Sequence, residues 1–87
     1  MPRRREFRLK WTDAAKEKFK TDLNEVGRVG LRNEIETNLE TWFGGRAEGY
    51  IYRYQSYRFT PLVTLRLESK IVEGNTERYL ISVDAVQ

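Results

Sequence analysis

Cysteine and histidine are both absent from this 87-residue chain. Without cysteine there are no disulfides and no thiol chemistry, which removes the cross-linked secreted scaffolds. Without histidine as well, zinc and most transition-metal sites are excluded, and so are the imidazole general base and every Ser-His or Cys-His nucleophile. Any chemistry must come from Arg, Lys, Tyr, Asp or Glu. Long apolar runs are missing too. No stretch approaches the roughly 20 residues needed to cross a bilayer, and the N-terminal arginines are not followed by the apolar segment of a signal peptide. The expectation is one soluble, cytoplasmic domain with no membrane partner, no metal and no cofactor. Its length suits a single modest core.

Charge and aromatic rings are what the chain has. The net charge is +3, unevenly spread: residues 1–11 hold five basic groups (Arg3, Arg4, Arg5, Arg8, Lys10) against Glu6 alone, whereas residues 12–43 are net acidic. Residues 1–6 therefore read as a flexible basic arm ahead of a domain at 7–87. Such an arm is either a phosphate contact or a solvated leader.

Phe7-Arg8-Leu9-Lys10-Trp11 alternates apolar and basic residues, which predicts a strand with Phe7, Leu9 and Trp11 facing in. Thr12 can cap a helix, Asp13 suits its first turn, and Ala15, Phe19, Leu23 and Val26 recur at helical spacing, predicting a helix over 13–26 that stops at Gly27. Leu31, Ile35, Leu39, Trp42 and Phe43 predict a second over 31–43, between Gly30 and the Gly44-Gly45 stop. Two β-rich runs follow at 62–72 and 77–86. A three-residue Gly74-Asn75-Thr76 loop would pair Leu67 with Val83 and Arg66 with Asp84, and is favoured over a two-residue Gly74-Asn75 loop, which mixes charged and apolar residues on both faces. The class is α+β: an N-terminal strand, two helices, then an antiparallel sheet of three or four strands with both helices on one face.

The segment Tyr50-Ile51-Tyr52-Arg53-Tyr54-Gln55-Ser56-Tyr57-Arg58-Phe59 concentrates five rings and two arginines. With Gln55-Ser56 as a two-residue hairpin loop, Tyr52, Tyr54, Tyr57 and Phe59 share a face for burial, and Arg53 lies opposite Arg58. Like charges placed so are unfavourable unless an anion such as phosphate sits between them. A continuous strand would instead send the arginines to opposite faces, and Gln-Ser lacks the usual hairpin chemistry, so both readings stand. The sheet face away from the helices is expected to carry Arg53, Arg58 and Arg66 with Lys70, Glu68 and Asp84. Such a cluster can hold a phosphodiester and stabilise charge developing on it, while exposed tyrosines stack on splayed bases. Arg66 with Asp84 also reads simply as a cross-strand ion pair.

The opening Phe7-Arg8-Leu9-Lys10-Trp11-Thr12-Asp13-Ala14-Ala15 and the later Tyr50–Phe59 segment, with Arg53, Tyr57 and Arg58 on a Tyr-x-x-Arg-x-x-x-Tyr-Arg-like pattern, resemble the RelE/ParE superfamily of toxin-antitoxin toxins. That resemblance implies an RNA-directed toxin acting on mRNA at the ribosome, with Arg53, Arg58 and Tyr57 as candidate catalytic residues of a metal-independent endoribonuclease. Arg3, Arg4, Arg5, Arg46, Arg66 and Lys70 form the accompanying candidate nucleic-acid-binding set, and an antitoxin protein is the implied partner. The gyrase-poisoning branch shares the fold without nuclease activity. The competing expectation is a non-catalytic module, antitoxin-, immunity- or inhibitor-like, using the aromatic segment as a protein contact, or a plain nucleic-acid-binding domain.

Overall fold

The computed structural model describes residues 3–87. Strand β1 (Arg4–Trp11) leads into helices α1 (Asp13–Asp22) and α2 (Glu25–Phe43), followed by strands β2 (Ile51–Gln55), β3 (Leu62–Glu73) and β4 (Thr76–Val86). The sheet order is β1-β4-β3-β2. Strands β2, β3 and β4 are antiparallel neighbours, whereas β1 runs parallel to β4, so the sheet is mixed. Both helices cover one face, and the α+β class expected from the sequence is the observed one.

Strand β1 extends three residues further toward the N-terminus than the apolar alternation indicates, because charge rather than apolar burial holds Arg4 and Arg5 in register with Thr76 and Glu77. The expected flexible arm therefore overlaps the sheet at residues 4–6, while its Met1 and Pro2 lie outside the described residues. Thr12 caps α1: its hydroxyl accepts the Ala15 N–H at 3.2 Å and donates to the Asp84 carbonyl at 3.2 Å, tying the helix start to β4. The break between helices falls at Leu23-Asn24, not across Gly27–Gly30. Asn24 caps α2, its side chain accepting the Gly27 N–H at 2.8 Å, and that capping lets the helix begin six residues earlier than expected.

Gly30 serves close packing instead of ending a helix. A methyl group there would sit 2.1 Å from Phe59 Cζ, so the ring lies directly against the α2 backbone. Below it Leu31, Ile35, Leu39, Trp42 and Phe43 bury against Val63, Leu65, Leu67, Tyr79, Ile81 and Val83. Trp42 stacks on Tyr52 at 4.8 Å and tilts against Tyr54 at 4.7 Å, while Phe43 meets Tyr50 edge-on.

The β3–β4 turn is the two-residue Gly74-Asn75 loop that the sequence reading set aside. Glu73 pairs with Thr76, and Gly74 takes φ 58°, the left-handed position a tight hairpin asks of its first loop residue. The clash of faces is resolved by a bulge at Glu68, after which β3 exchanges sides: Leu67 pairs with Ile81 on the core face and Ser69 with Leu80 on the open one. A second bulge, at Asp84 on β4, restores the offset so that Val63 meets Val86. Among the described residues, no helix is long and apolar enough to cross a membrane.

Candidate nucleic-acid interface

The aromatic segment is not a two-residue hairpin. Strand β2 pairs with β3, Arg53 opposite Thr64 and Tyr54 opposite Val63, and residues 56–61 form the connecting loop. Arg58 lies in that loop and does not face Arg53 across a ladder. The burial pattern corrects in the same way: Tyr52, Tyr54 and Phe59 pack against the core, whereas Tyr57 is 94% exposed. The physical reason is that pairing with β3 sets Tyr52 opposite the buried Leu65 and Tyr54 opposite the buried Val63, which carries these rings to the core face.

The loop is firmly anchored. The Ser56 N–H donates to the Pro61 carbonyl at 3.0 Å, and its buried hydroxyl donates to Glu34 at 3.0 Å while accepting the Phe59 N–H at 3.0 Å. Gln55 donates to the Thr60 carbonyl at 2.6 Å. Thr60 is held at φ 73°, a conformation a β-branched residue takes only under constraint, at a cost of roughly 1–3 kcal/mol. Glu34 of α2 also accepts the Tyr54 hydroxyl at 2.6 Å, and that bond, aided by burial, pushes the phenol up to about 12. Tyr57 and Arg58 thus project from a rigid base.

The open sheet face carries Arg8, Lys10, Arg78, Arg66 and Arg53 interspersed with acids. Lys10 meets Glu68 at 3.7 Å, Arg78 meets Glu6 and Glu73 at 3.3 Å each, and Arg66 meets Asp84 at 3.0 Å. Burial pushes the Asp84 carboxyl up, but hydrogen bonds from Ser82 and Arg66 outweigh it and leave the group below the usual range. Arg66 with Asp84 is thus the ion pair one of the sequence readings named, although Arg66 stands in register with Ser82 and reaches Asp84 at its bulge. Among the described residues Arg8, Arg53 and Arg58 have no acid within salt-bridge distance, Arg58 instead lying 5.4 Å from the Phe59 ring. A concavity of about 560 Å³ lies on the same face, lined by Arg8, Glu6, Arg78, Ser69, Ile71 and Leu80, at the end away from Arg53 and its loop.

The rest of the predicted binding set is occupied elsewhere. Lys70 was expected on the open face. The Glu68 bulge turns it to the helix side, where its ammonium sits 3.8 Å from Glu77 and donates to the Arg46 carbonyl. Arg5 binds Glu77 at 2.8 Å and Glu40 of α2 at 2.7 Å, and Arg3 reaches Glu77 at 3.5 Å. The Arg5 bond holds the Glu77 carboxyl low, against the opposing effect of burial. Arg4 pairs with Glu6 at 3.4 Å, and Arg46 lies 4.5 Å over Tyr50. Sequence reasoning left out Arg8 as a site residue although the Phe7-Arg8-Leu9 alternation places it on the open face. It also missed Glu34, Ser56 and Gly30, whose roles in holding the loop carry no local signal.

Comparison with protein-family models, with curated proteins and with solved structures gave no match to this chain.

Proposed function

We propose that this chain is a RelE-like protein that acts on RNA, engaging unpaired nucleotides of mRNA through the β2 end of the open sheet face. The observation that supports this reading is Tyr57: a ring 94% exposed, next to Arg58, on a loop whose strained Thr60 and buried Ser56 keep it from collapsing onto the core. A large exposed ring on an ordered base suits stacking on a splayed-out nucleobase, and Arg53 and Arg58 supply cations for flanking phosphates. Arg8 offers a further cation across the face. Should the protein cut its RNA, Arg53 and Arg58 would stabilise charge developing at the scissile phosphate, with Tyr57 orienting the neighbouring base.

The test is binding of a short unstructured RNA over a salt series, together with bacterial growth on induction. Three phosphate contacts predict a fall of log K with log salt of slope about −2, reduced by about 0.7 on Arg53→Ala. Tyr57→Ala is expected to weaken binding by about 1–3 kcal/mol with no change in salt slope. Growth arrest with mRNA loss that disappears in a folded Arg53→Ala/Arg58→Ala variant supports the toxin. RNA affinity indifferent to all three substitutions rejects the interface.

A further inference from the structure

The helix side of the molecule has a basic pocket that the RNA reading does not use. It has a volume of about 180 Å³ and is lined by Trp11 at the end of β1, Lys16, Phe19 and Lys20 of α1, and Arg28 and Arg32 of α2. Four cations and no acid surround it. The spacing makes this unfavourable in the empty protein. Lys16 and Lys20 stand four residues apart on one helix and Arg28 and Arg32 four apart on the other, so each helix carries a like-charge neighbour pair, and both pairs face one cavity. Acids are available nearby in sequence, at Asp13, Glu17, Glu25 and Glu36. Among the described residues, none of them lies within salt-bridge distance of these cations, and the helices' own ion pair, Lys18 with Asp22, lies outside the pocket lining.

Two of the four cations are held in place. Arg28 donates to the Leu23 carbonyl at 2.6 Å and the Lys20 carbonyl at 3.3 Å, closing the C-terminal end of α1, and Arg32 lies 5.6 Å from the Phe19 ring. Phe19 in turn packs on Trp11 at 4.6 Å, giving the pocket an apolar floor beneath the exposed ends of Lys16, Lys20 and Arg32.

We propose that this pocket binds a phosphoryl anion. Four cationic donors exceed what a single carboxylate can neutralise, whereas a phosphomonoester or pyrophosphate brings at least two charges and several acceptor oxygens, and guanidinium forks match its geometry. The volume fits such a head group. It is below the roughly 300–1,000 Å³ of pockets that enclose a whole drug-sized ligand, so anything attached to the phosphate extends into solvent. The pocket is on the helix side of the sheet, opposite the open face.

Calorimetric titration with inorganic pyrophosphate, and separately with a 5′-phosphorylated and a 5′-hydroxyl oligonucleotide, tests this. One site per chain for pyrophosphate supports a free phosphoryl ligand, and a preference for the 5′-phosphorylated oligonucleotide alone supports a nucleic-acid end as the source. Lys16→Gln/Lys20→Gln removes two side chains that make no intramolecular hydrogen bond, and is expected to weaken binding at least about tenfold, the scale of one lost charge-assisted bond. Lys16→Glu/Lys20→Glu places acids facing Arg28 and Arg32 in the pocket and is expected to abolish binding. Absence of pyrophosphate and 5′-phosphate binding, binding of equal strength in the Gln variant, or binding of an acidic peptide in place of either phosphate overturns the proposal.

Discussion

Glu34 shows how one carboxylate can organise a surface it never reaches. It accepts the hydroxyls of Tyr54 and Ser56, and Ser56 in turn fixes the Phe59 amide, so the orientation of Tyr57 and Arg58 depends on a residue two layers below. The Tyr54 phenol, ordinarily near 10, is raised to about 12 chiefly by the Glu34 bond and secondarily by burial. Between those values the folded protein keeps a proton that the unfolded chain has released. The stabilisation is therefore complete below the unfolded value and is lost as pH rises through the folded one, by an amount on the order of 1 kcal/mol. Glu34→Gln is expected to bring the Tyr54 titration back toward the ordinary phenol range, followed by tyrosinate absorbance, and to flatten the alkaline loss of stability seen in denaturant midpoints. An unchanged Tyr54 titration in that variant would detach the hydroxyl from Glu34.

At the scale of elements, the β2–β3 loop rests on α2 through Phe59, and Gly30 is the point of contact. Gly30→Ala places a methyl 2.1 Å from Cζ and within 2.8 Å of both Cε atoms of the ring, so Phe59 must move. Overpacking of this kind costs about 1–3 kcal/mol, and because the displaced ring carries the loop, RNA affinity is expected to fall further than stability alone accounts for. Amide chemical shifts localised to residues 56–61 would report the displacement, and a variant with unmoved loop resonances and full affinity would contradict it. This contact also explains why the helix limits were misjudged from sequence. Gly27 and Gly30 read as breakers because local propensity disfavours glycine inside helices, whereas Gly30 is selected by a ring nearly thirty residues away and the helix start is fixed by the Asn24 cap. The strands were legible for the opposite reason, since the alternation in Phe7–Trp11 and the β-rich runs at 62–72 and 77–86 are local. The exchange of faces at Glu68 was not, because a bulge is decided by the pairing of two strands, each of whose patterns is self-consistent alone. Arg53 was legible as an exposed cation, but its supposed partnership with Arg58 depended on a turn that the sequence left open.

Across the whole molecule, the N-terminal basic excess divides between two tasks that the alternation of β1 separates. Arg4, Arg8 and Lys10 point to the open face, while Arg3 and Arg5 turn to the helix side and converge on Glu77, which is 6% exposed. Glu77 also accepts the Tyr79 hydroxyl, which itself accepts the Gly45 N–H, and Arg5 continues to Glu40, so one carboxylate joins the edge strand, β4 and the C-terminal end of α2. Parallel edge strands lack a hairpin to hold them, and this network takes that role for β1. Glu77 has a lowered folded pKa, caused first by its bond from Arg5. Its contribution is therefore present above the ordinary glutamate value and is lost as pH falls through the lower folded one. Acidification is expected to free β1 before it disturbs the core. Hydrogen exchange at pH values below the ordinary glutamate range should show early loss of protection at the amides of Arg4–Phe7, with those of Leu65–Leu67 and Ile81–Val83 unchanged. Glu77→Gln should produce the same loss at neutral pH. Simultaneous loss across all four strands would mean that β1 is held by packing of Phe7, Leu9 and Trp11 and not by the carboxylate.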